Sequence, residues 1–497
     1  MKKQEYKNDC MILRTIEELV PKEHLVRKID ECISFKFIED KVEHLYSSIG
    51  RNSIPPIVLF KLLIINKTFG INSMRKTCEE CKVNLAYRWF LGLSIEDEIP
   101  NYSTWCKNYK RRYKDSNIFN EIFEEVLRQA MEYGFIDTEA VFYDGTHQKA
   151  NANSRKCTDK EVEIEAKSYK EDLLNEINNV RCEHGQKEVK KIINEELDFN
   201  AKTGEEEKIT KTKHIKVSST DPDSGHYHKG EHEQCFAYTH NTCSDRNGFV
   251  LAYETVAGNV HDSVSFEGVR KKVMEKHKDD ITYEVLDAGF KTPAICRMII
   301  EDEKIPLMPY TRPKGSKDLI NKKEYIYDKE KDIYICPNNE ILKYATVTKE
   351  GYKIYKSNPD KCINCPLREQ CTKSKTNQKL ISRHVWAEYV ENTNELRYTE
   401  DWKEIYPERK QTIERIFGDC KENMCLRFTR VRGLEKNRKN ASMIFTCHNL
   451  KKMAIWYSKN KKNIEKIKQN ISNYCNKFVN NIKKEIILLK LSLLSTL

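Results

Sequence analysis

Apolar residues recur every three or four positions through the first part of the chain, as expected for helices packed on a core. The run IPPIVLFKLLIIN over residues 54–66 has this spacing, and its two prolines suit a first helical turn. Further helices are predicted at residues 73–81 and 85–91, and Asn101 or Ser103 would cap the next one. The pattern predicts an all-helical domain over residues 1–135.

The last of these helices, YSTWCKNYKRRYK, alternates aromatic and basic side chains. Its candidate DNA-binding residues are Lys107, Lys110, Arg111 and Arg112. Short helices that end in a basic, aromatic-bearing helix are typical of a helix-turn-helix reader placed on DNA phosphates. A solvated helix that covers a core would have the same composition, so both interpretations stay open.

After residue 138 the pattern changes to short apolar runs that end in acidic residues. The run EAVFYDGT predicts a strand that delivers Asp144 at its end, with Gly145 allowing a tight exit. The run ITYEVLDAGF presents Asp287 in the same way. Further strand-like runs alternate with helices predicted at residues 264–277 and 293–303. This alternation predicts a mixed α/β sheet domain over residues 136–313 that resumes at residues 401–457.

Two insertions interrupt the predicted sheet domain. Two apolar stripes at helical spacing, separated by HGQ at residues 184–186, predict a helical hairpin over residues 159–216. The second insertion, residues 314–400, has little apolar periodicity, so we expect it to lack a core of its own. Residues 458–497 form a basic tail, either a marginal helix or a flexible arm.

Four cysteines supply candidate metal ligands in the second insertion. They are Cys336, Cys362, Cys365 and Cys371. A CxxC pair beside two more cysteines suits a structural tetrahedral Zn²⁺ with thiolate ligands. Such a metal would supply folding free energy to a segment without its own core. Because the spacing is not a common finger pattern, four unligated thiols remain the alternative.

The stretch ERKQTIERIFGDCK over residues 408–421 predicts a helix with one buried stripe and one polar face. Lys410, Glu414 and Lys421 share the polar face. A row of surface ion pairs would have the same pattern. However, Asp144, Asp287 and Glu414 together would give three carboxylates from separate segments, and such hard oxygen ligands suit Mg²⁺ or Mn²⁺.

A site of this kind is suited to phosphoryl transfer. Two ions about 4 Å apart activate the attacking oxygen and stabilise the leaving oxygen. The neighbouring cations Arg409, Lys410 and Lys421 would then hold DNA phosphates over the site. We therefore take Asp144, Asp287 and Glu414 as candidate catalytic residues.

Composition narrows the class of protein. The chain has 497 residues, enough for two or three domains, and its 39% hydrophobic content suits a globular fold. A net charge of +11 favours a polyanionic partner. The sequence shows no signal peptide and no run of 18 apolar residues, so we expect a cytoplasmic protein with reduced cysteines and no membrane partner.

Three motifs resemble the acidic motifs of bacterial DDE transposases. They are YDGTHQKANAN, EVLDAGF and ERKQTIERIFGDCKE, and they are most similar to the IS1182 group within the IS4/IS5-like set. The segments DPDSGHYHKGEHEQCFAYTHNTCSD and AGNVHDS resemble the second and third strands of that group's sheet. The segment IPNYSTWCKNYKRR resembles its helical N-terminal domain. The resemblance covers residues from about 10 to 457.

This resemblance implies an RNase H-like catalytic domain with Asp144, Asp287 and Glu414 as its metal-binding acids. It also implies an enzyme that binds terminal inverted repeats as a homodimer on double-stranded DNA, cleaves a strand and joins the freed 3′-OH to target DNA. The family's Tyr–Arg–Glu–Lys signature fits Glu414 and Lys421 but places Lys410 at the Arg position and Pro407 at the Tyr position. The roles of Lys410, Arg409 and Tyr406 therefore stay open. The alternatives are a related nuclease without strand transfer and a non-catalytic DNA-binding protein derived from a transposase.

Overall fold

The N-terminal domain consists of helices, in a computed structural model that describes residues 13–47, 49, 53–163, 170–189, 195–199, 206–210, 212–229, 233–311 and 319–494. Its helices are α1 (Ile16–Leu19), α2 (Leu25–Cys32), α3 (Phe37–Val42), α4 (Pro56–Thr68), α5 (Met74–Val83), α6 (Leu85–Leu91), α7 (Tyr102–Asn108) and α8 (Ile118–Glu132). A π-helical turn over Tyr109–Tyr113 follows α7.

Local capping explains where several of these helices begin and end. Pro56 is the first residue of α4, where its missing N–H costs nothing. The side chains of Ser73 and Asn101 accept hydrogen bonds from the first turns of α5 and α7. Gly92 ends α6 in the left-handed conformation. The predicted helical N-terminal region is confirmed.

A mixed α/β region follows. Its strands are β1 (Ala140–Lys149), β2 (Cys157–Glu163), β3 (Glu195–Phe199), β4 (Glu206–Thr210), β5 (Thr212–Ser218), β6 (Gly225–Lys229), β7 (Glu233–Ser244), β8 (Val250–Ala257), β9 (Tyr283–Leu286) and β10 (Ile305–Leu307). Its helices are α9 (Lys170–Glu183), α10 (Asp262–His277) and α11 (Pro293–Glu301).

The main sheet has the order β10-β9-β1-β7-β6-β5-β2 within the described residues, and β8 pairs with β7 on a separate branch. Strands β1, β9 and β10 run parallel to one another. Strand β7 runs antiparallel to both β1 and β8. The predicted mixed sheet is therefore present, and its parallel strands form one edge.

The predicted helical hairpin over residues 159–216 is wrong. Among the described residues of this range, α9 is the one helix, and the others lie in strands or loops. Val162, assigned to the first stripe, lies in β2 opposite Lys213 of β5, and Leu197 of the second stripe lies in β3. Pairing between distant strands overrides the helical spacing, which is a weak signal in a segment rich in charges and β-branched residues. Residues 164–169 and 190–194, which also belong to the two stripes, lie outside the described residues.

The second insertion forms a five-stranded antiparallel sheet in chain order. Its strands are β11 (Ile326–Asp328), β12 (Ile333–Ile335), β13 (Ile341–Val347), β14 (Tyr352–Lys356) and β15 (Leu380–His384), with α12 (Pro359–Ile363) and α13 (Arg368–Cys371) before β15. Tyr325, Tyr334, Leu342, Tyr355 and Ile381 pack into a core beneath it. The expectation that this insertion lacks a core is wrong, because tyrosines supply the buried area that aliphatic periodicity did not reveal.

The remaining helices are α14 (Ala387–Glu395), α15 (Glu400–Ile405), α16 (Ile413–Asn423) and α17 (Leu434–Leu494). Helix α17 packs against α2, α4 and α8 of the N-terminal domain and against β8 of the sheet. It also continues through the predicted basic tail, which is therefore helical to Leu494. No helix in the described part of the chain is long and apolar enough to cross a membrane.

Candidate active site

Asp144 and Asp287 lie side by side where two neighbouring parallel strands stop pairing. The last residue pair between β1 and β9 is Tyr143 with Leu286; Asp144 is the next residue of β1, and Asp287 directly follows the end of β9. Adjacent strands are about 4.8 Å apart, so the register alone places the two carboxylates at one point on the sheet. The predicted tight exit after Asp144 is wrong, since β1 continues to Lys149 in contact with β7.

Gly145 makes room for another acidic residue. A methyl group added there would lie 2.4 Å from Asn241 Oδ1 and 2.9 Å from Asp262 Oδ1. Asp262 is the first residue of α10, whose N-cap is His261. Asp262 lies in the AGNVHDS segment and is not among the acids that the sequence predicts for the site. The available signal was an acid in the first turn of a helix that follows a sheet strand.

A buried arginine faces both strand-borne aspartates. Arg409 Nη2 lies 2.9 Å from Asp144 Oδ2, and its Nη1 lies 3.6 Å from Asp287 Oδ1. Nη1 also donates a hydrogen bond of 3.4 Å to the Tyr406 hydroxyl. Lys410, at the family's Arg position, is exposed. The cation that faces the acids is thus Arg409, one residue earlier than the signature spacing requires.

The chain accommodates this extra residue at a break between helices. Tyr406–Lys410 form a short 3-10 helix, and α16 begins at Ile413. Between them Thr412 has φ −102° and ψ −97°, outside the regular helical region. Tyr406 and Arg409 keep their mutual spacing on one side of this break, and Glu414 and Lys421 keep theirs on the other.

Electrostatics distinguish these acids from surface carboxylates. Burial raises the pKa of Asp144 to about 6, the Arg409 guanidinium acts in the opposite direction, and the negative charges of Asp287 and Asp262 raise it further. Burial also raises the pKa of Asp262, as does the charge of Asp287. Carboxylates that repel one another in this way favour the binding of additional positive charge. Their oxygen donors suit a hard cation such as Mg²⁺.

Glu414 lies on the helix that packs against β1. It is exposed in the first turn of α16, while Ile413, Ile416 and Phe417 of the predicted stripe are buried. In the described part of the chain, no group of three or more His, Cys, Asp or Glu side chains is placed closely enough to hold a metal ion. The structure therefore brings Asp144 and Asp287 together without a three-ligand group that includes Glu414.

The candidate DNA-binding residues differ in their surroundings. Lys107, Lys110 and Arg111 are exposed on α7 and the π-helical turn. Arg112 points inward, where its Nε donates to the Leu45 carbonyl at 3.2 Å and its guanidinium lies 4.2 Å from the Tyr46 ring centroid. Lys421 is half-buried in α16. DNA contact by these residues stays a prediction.

The four cysteines of the second insertion lie in loops and short helices beside its tyrosine core. Cys371 Sγ is 3.0 Å from the Tyr325 hydroxyl, and Cys336 packs against the same core. Cys336 Sγ accepts a hydrogen bond from the Glu340 N–H at 3.3 Å. Cys362 Sγ donates to Ser357 Oγ at 3.2 Å. These contacts hold the thiols individually, and the described residues contain no three-ligand group here either.

Two family models match the chain, one in the N-terminal domain and one in the C-terminal part. The model described as "Transposase domain (DUF772)" matches residues 14–111, which include α7. The model described as "Transposase DDE domain" matches residues 335–454, which include most of the second insertion, Arg409 and Glu414. Comparison with curated proteins and with solved structures finds no match. These two matches indicate an insertion-sequence DDE transposase of the IS1182 type, which agrees with the resemblance of the acidic motifs.

Proposed function

We propose that this transposase cleaves a DNA strand at the end of its insertion sequence and joins the freed 3′-OH to target DNA at the same site. The observation that carries the proposal is that Asp144 and Asp287 each follow the last residue pair between β1 and β9 and that both face the Arg409 guanidinium. Glu414 would act as the third acid, from the helix packed on β1. Asp262, beside Gly145, would add negative charge to the same region.

We further propose that the sheet is RNase H-like. The strands β1, β7 and β8 form an antiparallel succession, and β9 and β10 follow in parallel beside β1, which gives the spatial order β8-β7-β1-β9-β10. This order supports the fold that the family resemblance implies. It places the first and fourth of these five strands next to each other at the centre, where the two aspartates lie.

DDE transposases generally use divalent metal ions, and the oxygen donors of Asp144, Asp287 and Glu414 suit Mg²⁺. When bound, the metal would polarise the scissile phosphate and activate the attacking oxygen. Arg409 would balance the acid charge before DNA binds and then contact a phosphate with its planar fork of donors. Lys410 and Lys421 would hold neighbouring phosphates as point charges. Water is the nucleophile for cleavage and the 3′-OH is the nucleophile for joining.

The test is a gel assay that uses DNA carrying the element's end, with and without Mg²⁺. We expect joined products with Mg²⁺. An Asp287→Asn variant should lose cleavage by at least about a thousandfold, because it removes the charge that holds the metal, while its DNA binding changes less than about twofold. Asp279→Asn, at an exposed position after α10, is the matched control. Nicked DNA without joined products would favour a nuclease. A retarded gel band without any cleaved DNA would favour a DNA-binding protein.

DNA recognition is proposed to come from the N-terminal domain, with a homodimer on the DNA. Exposed Lys107, Lys110 and Arg111 would contact phosphates, so binding should weaken steeply with salt. Arg112→Gln should instead lower the stability of the domain, because this side chain packs on Tyr46.

A structural Zn²⁺ on the four cysteines of the second insertion also stays a proposal. Thiolates in a CxxC arrangement with two more cysteines have the right chemistry, and a bound metal would have to replace the hydrogen bond between Cys371 and Tyr325. Metal analysis of the purified full-length chain should find one zinc that a Cys362→Ser/Cys365→Ser variant loses. Protein prepared under reducing conditions without chelator and free of zinc would leave four ordinary thiols.

A further inference from the structure

A cleft of about 780 Å³ lies where the N-terminal domain meets the loop between α16 and α17. Side chains from α4, α7 and α17 form its apolar floor, among them Leu63, Trp105 and Met443. Tyr109 of the π-helical turn and Phe428 of the loop also line it, and the Phe428 side chain is 58% exposed. The cleft is thus a wide, partly aromatic surface outside the acid site.

The charge around this floor is of one sign. The cations that line the cleft are Lys67, Lys110, Lys114, Arg430, Lys436 and Lys439, and none of its described lining residues is Asp or Glu. Four of them, Lys110, Lys114, Arg430 and Lys436, are exposed, and they take part in no ion pair in the described part of the chain. An apolar floor with an unneutralised cationic rim suits a ligand that has flat apolar groups and regularly spaced negative charges.

We propose that this cleft binds unpaired nucleotides of a DNA strand. In a duplex the bases are stacked inside and only phosphates and groove edges face the protein, so the floor would stay uncovered. An unpaired strand presents its bases to aromatic side chains while its phosphates contact Lys and Arg. Phe428 is the most exposed aromatic ring at the rim, and Lys149 Nζ lies 5.7 Å from its centroid.

The cleft is connected to the acid site by strand β1. Lys149, five residues after Asp144, forms a parallel bridge with Phe428. The Lys149 N–H donates to the Arg427 carbonyl at 3.1 Å, and the Thr429 N–H donates to the Lys149 carbonyl at 2.9 Å. Five strand residues span about 17 Å, which is about five steps of 3.4 Å along a DNA strand. The identity of the strand rests on the proposed function, and its unpaired part would lie about five nucleotides from the cleaved bond.

The affinity test compares a fluorescein-labelled dT12 with a 12-base-pair blunt duplex, both bound to the full-length chain at one salt concentration. We expect Phe428→Ala to weaken dT12 binding about tenfold, as loss of base stacking does, and to change duplex binding less than twofold. Tyr352→Ala, which removes an exposed aromatic ring from β14, is the control and should leave both unchanged. Equal losses for both DNAs, or no loss for either, would overturn the proposal.

A position test uses 5-iodouracil placed singly along the end strand in the Asp287→Asn background. Crosslinks near the fifth nucleotide from the cleaved bond should map to peptides that contain Phe428 or Tyr109. Crosslinks confined to other peptides would overturn the assignment even if the enzyme cleaves DNA. Crosslinks at Phe428 in an enzyme that never cleaves with Mg²⁺ would instead remove the proposed reaction and leave the binding site. Thermal melting of each variant excludes misfolding as the cause.

Discussion

The acid pair of the main sheet and the cysteines of the second insertion are both sets of residues that the sequence predicts to converge. Asp144 and Asp287 are carried by adjacent core strands whose register determines their neighbours. The cysteines lie on loops and short helices beside a tyrosine core, against which Cys336 and Cys371 pack. Residues beside paired strands are placed by the strand register, whereas residues on loops have no such constraint and vary more in position.

The two regions also differ in the direction in which they shift the pKa of an aspartate. Burial raises the pKa of Asp144 to about 6, although Arg409 opposes this. Burial would also raise the pKa of Asp332 in the second insertion, but hydrogen bonds of 2.6 Å from Tyr327 and Tyr355 and the charge of Lys353 lower it below its ordinary value. The pKa of the half-buried acid of the insertion is thus lowered by its partners, whereas the pKa of Asp144 stays raised although Arg409 lies beside it.

The largest effect on stability is expected from Arg409→Met. Loss of this buried cation leaves Asp144 beside Asp287 without compensation, which should cost about 3–5 kcal/mol in the free energy of unfolding at pH 7.5. Urea denaturation should show a smaller loss at pH 5, where Asp144 is protonated. The neighbouring exposed Lys410→Met should cost less than about 0.5 kcal/mol. Similar losses for the two variants would remove the special role of Arg409.

Asp332→Asn should cost about 2 kcal/mol at pH 7, because the two tyrosine hydrogen bonds would go to a neutral oxygen and the charge that faces Lys353 would be lost. Asn tolerates the positive φ of 49° at this position, so backbone strain should not contribute. Because the pKa is lowered in the folded chain, the carboxylate's contribution is present above its unfolded pKa and is lost as the pH falls below about 4. A loss of stability that is the same at pH 3 and pH 7 would contradict this account. The exposed Asp360→Asn is the control.

Asp144→Asn should increase the free energy of unfolding, unlike the two variants above, and its effect should be the smallest of the three. Between about pH 4 and pH 6 the folded chain binds more protons at Asp144 than the unfolded chain does, so its ionisation lowers stability as the pH rises through this window. The variant should therefore gain about 1–2 kcal/mol at pH 7.5 and nothing near pH 4. Thermal melting at both pH values measures this difference. Destabilisation at pH 7.5 would mean that the Arg409 ion pair outweighs the cost of burial.

Helix caps and short apolar runs in the sequence predicted much of the N-terminal domain and the positions of Asp144 and Asp287. Caps such as Ser73 and Asn101 define helix starts within a few residues, and short apolar runs located both strand-borne aspartates. Pairing between distant segments decided the rest. Strand β2 pairs with β5 across an interval of the chain that has helical spacing. The first-turn position of Asp262 in α10 is visible locally, but its place beside Gly145 depends on how α10 packs against β1.

The same holds for the signature residues before α16. Spacing counted from Glu414 selects Lys410 as the residue that faces the acids. Because the backbone at Thr412 is irregular, Arg409 faces them instead. The tyrosine core escaped detection for a different reason. Its aromatic rings are spread over strands β12 and β14 and the segment before β11, so each strand alone contains too few apolar residues to indicate a core.

Helix α17 has two buried faces that belong to different cores. Ala441, Ile444 and Phe445 pack into the core of the sheet, whereas Met443, Cys447 and Leu450 pack into the core of the N-terminal domain. This helix therefore joins the domain proposed to recognise DNA directly to the core beneath the acids proposed to cut it. If both proposals hold, the protein would fix the distance along the DNA between the recognised sequence and the cleaved bond. Inserting three or four base pairs between them should then abolish cleavage rather than move it.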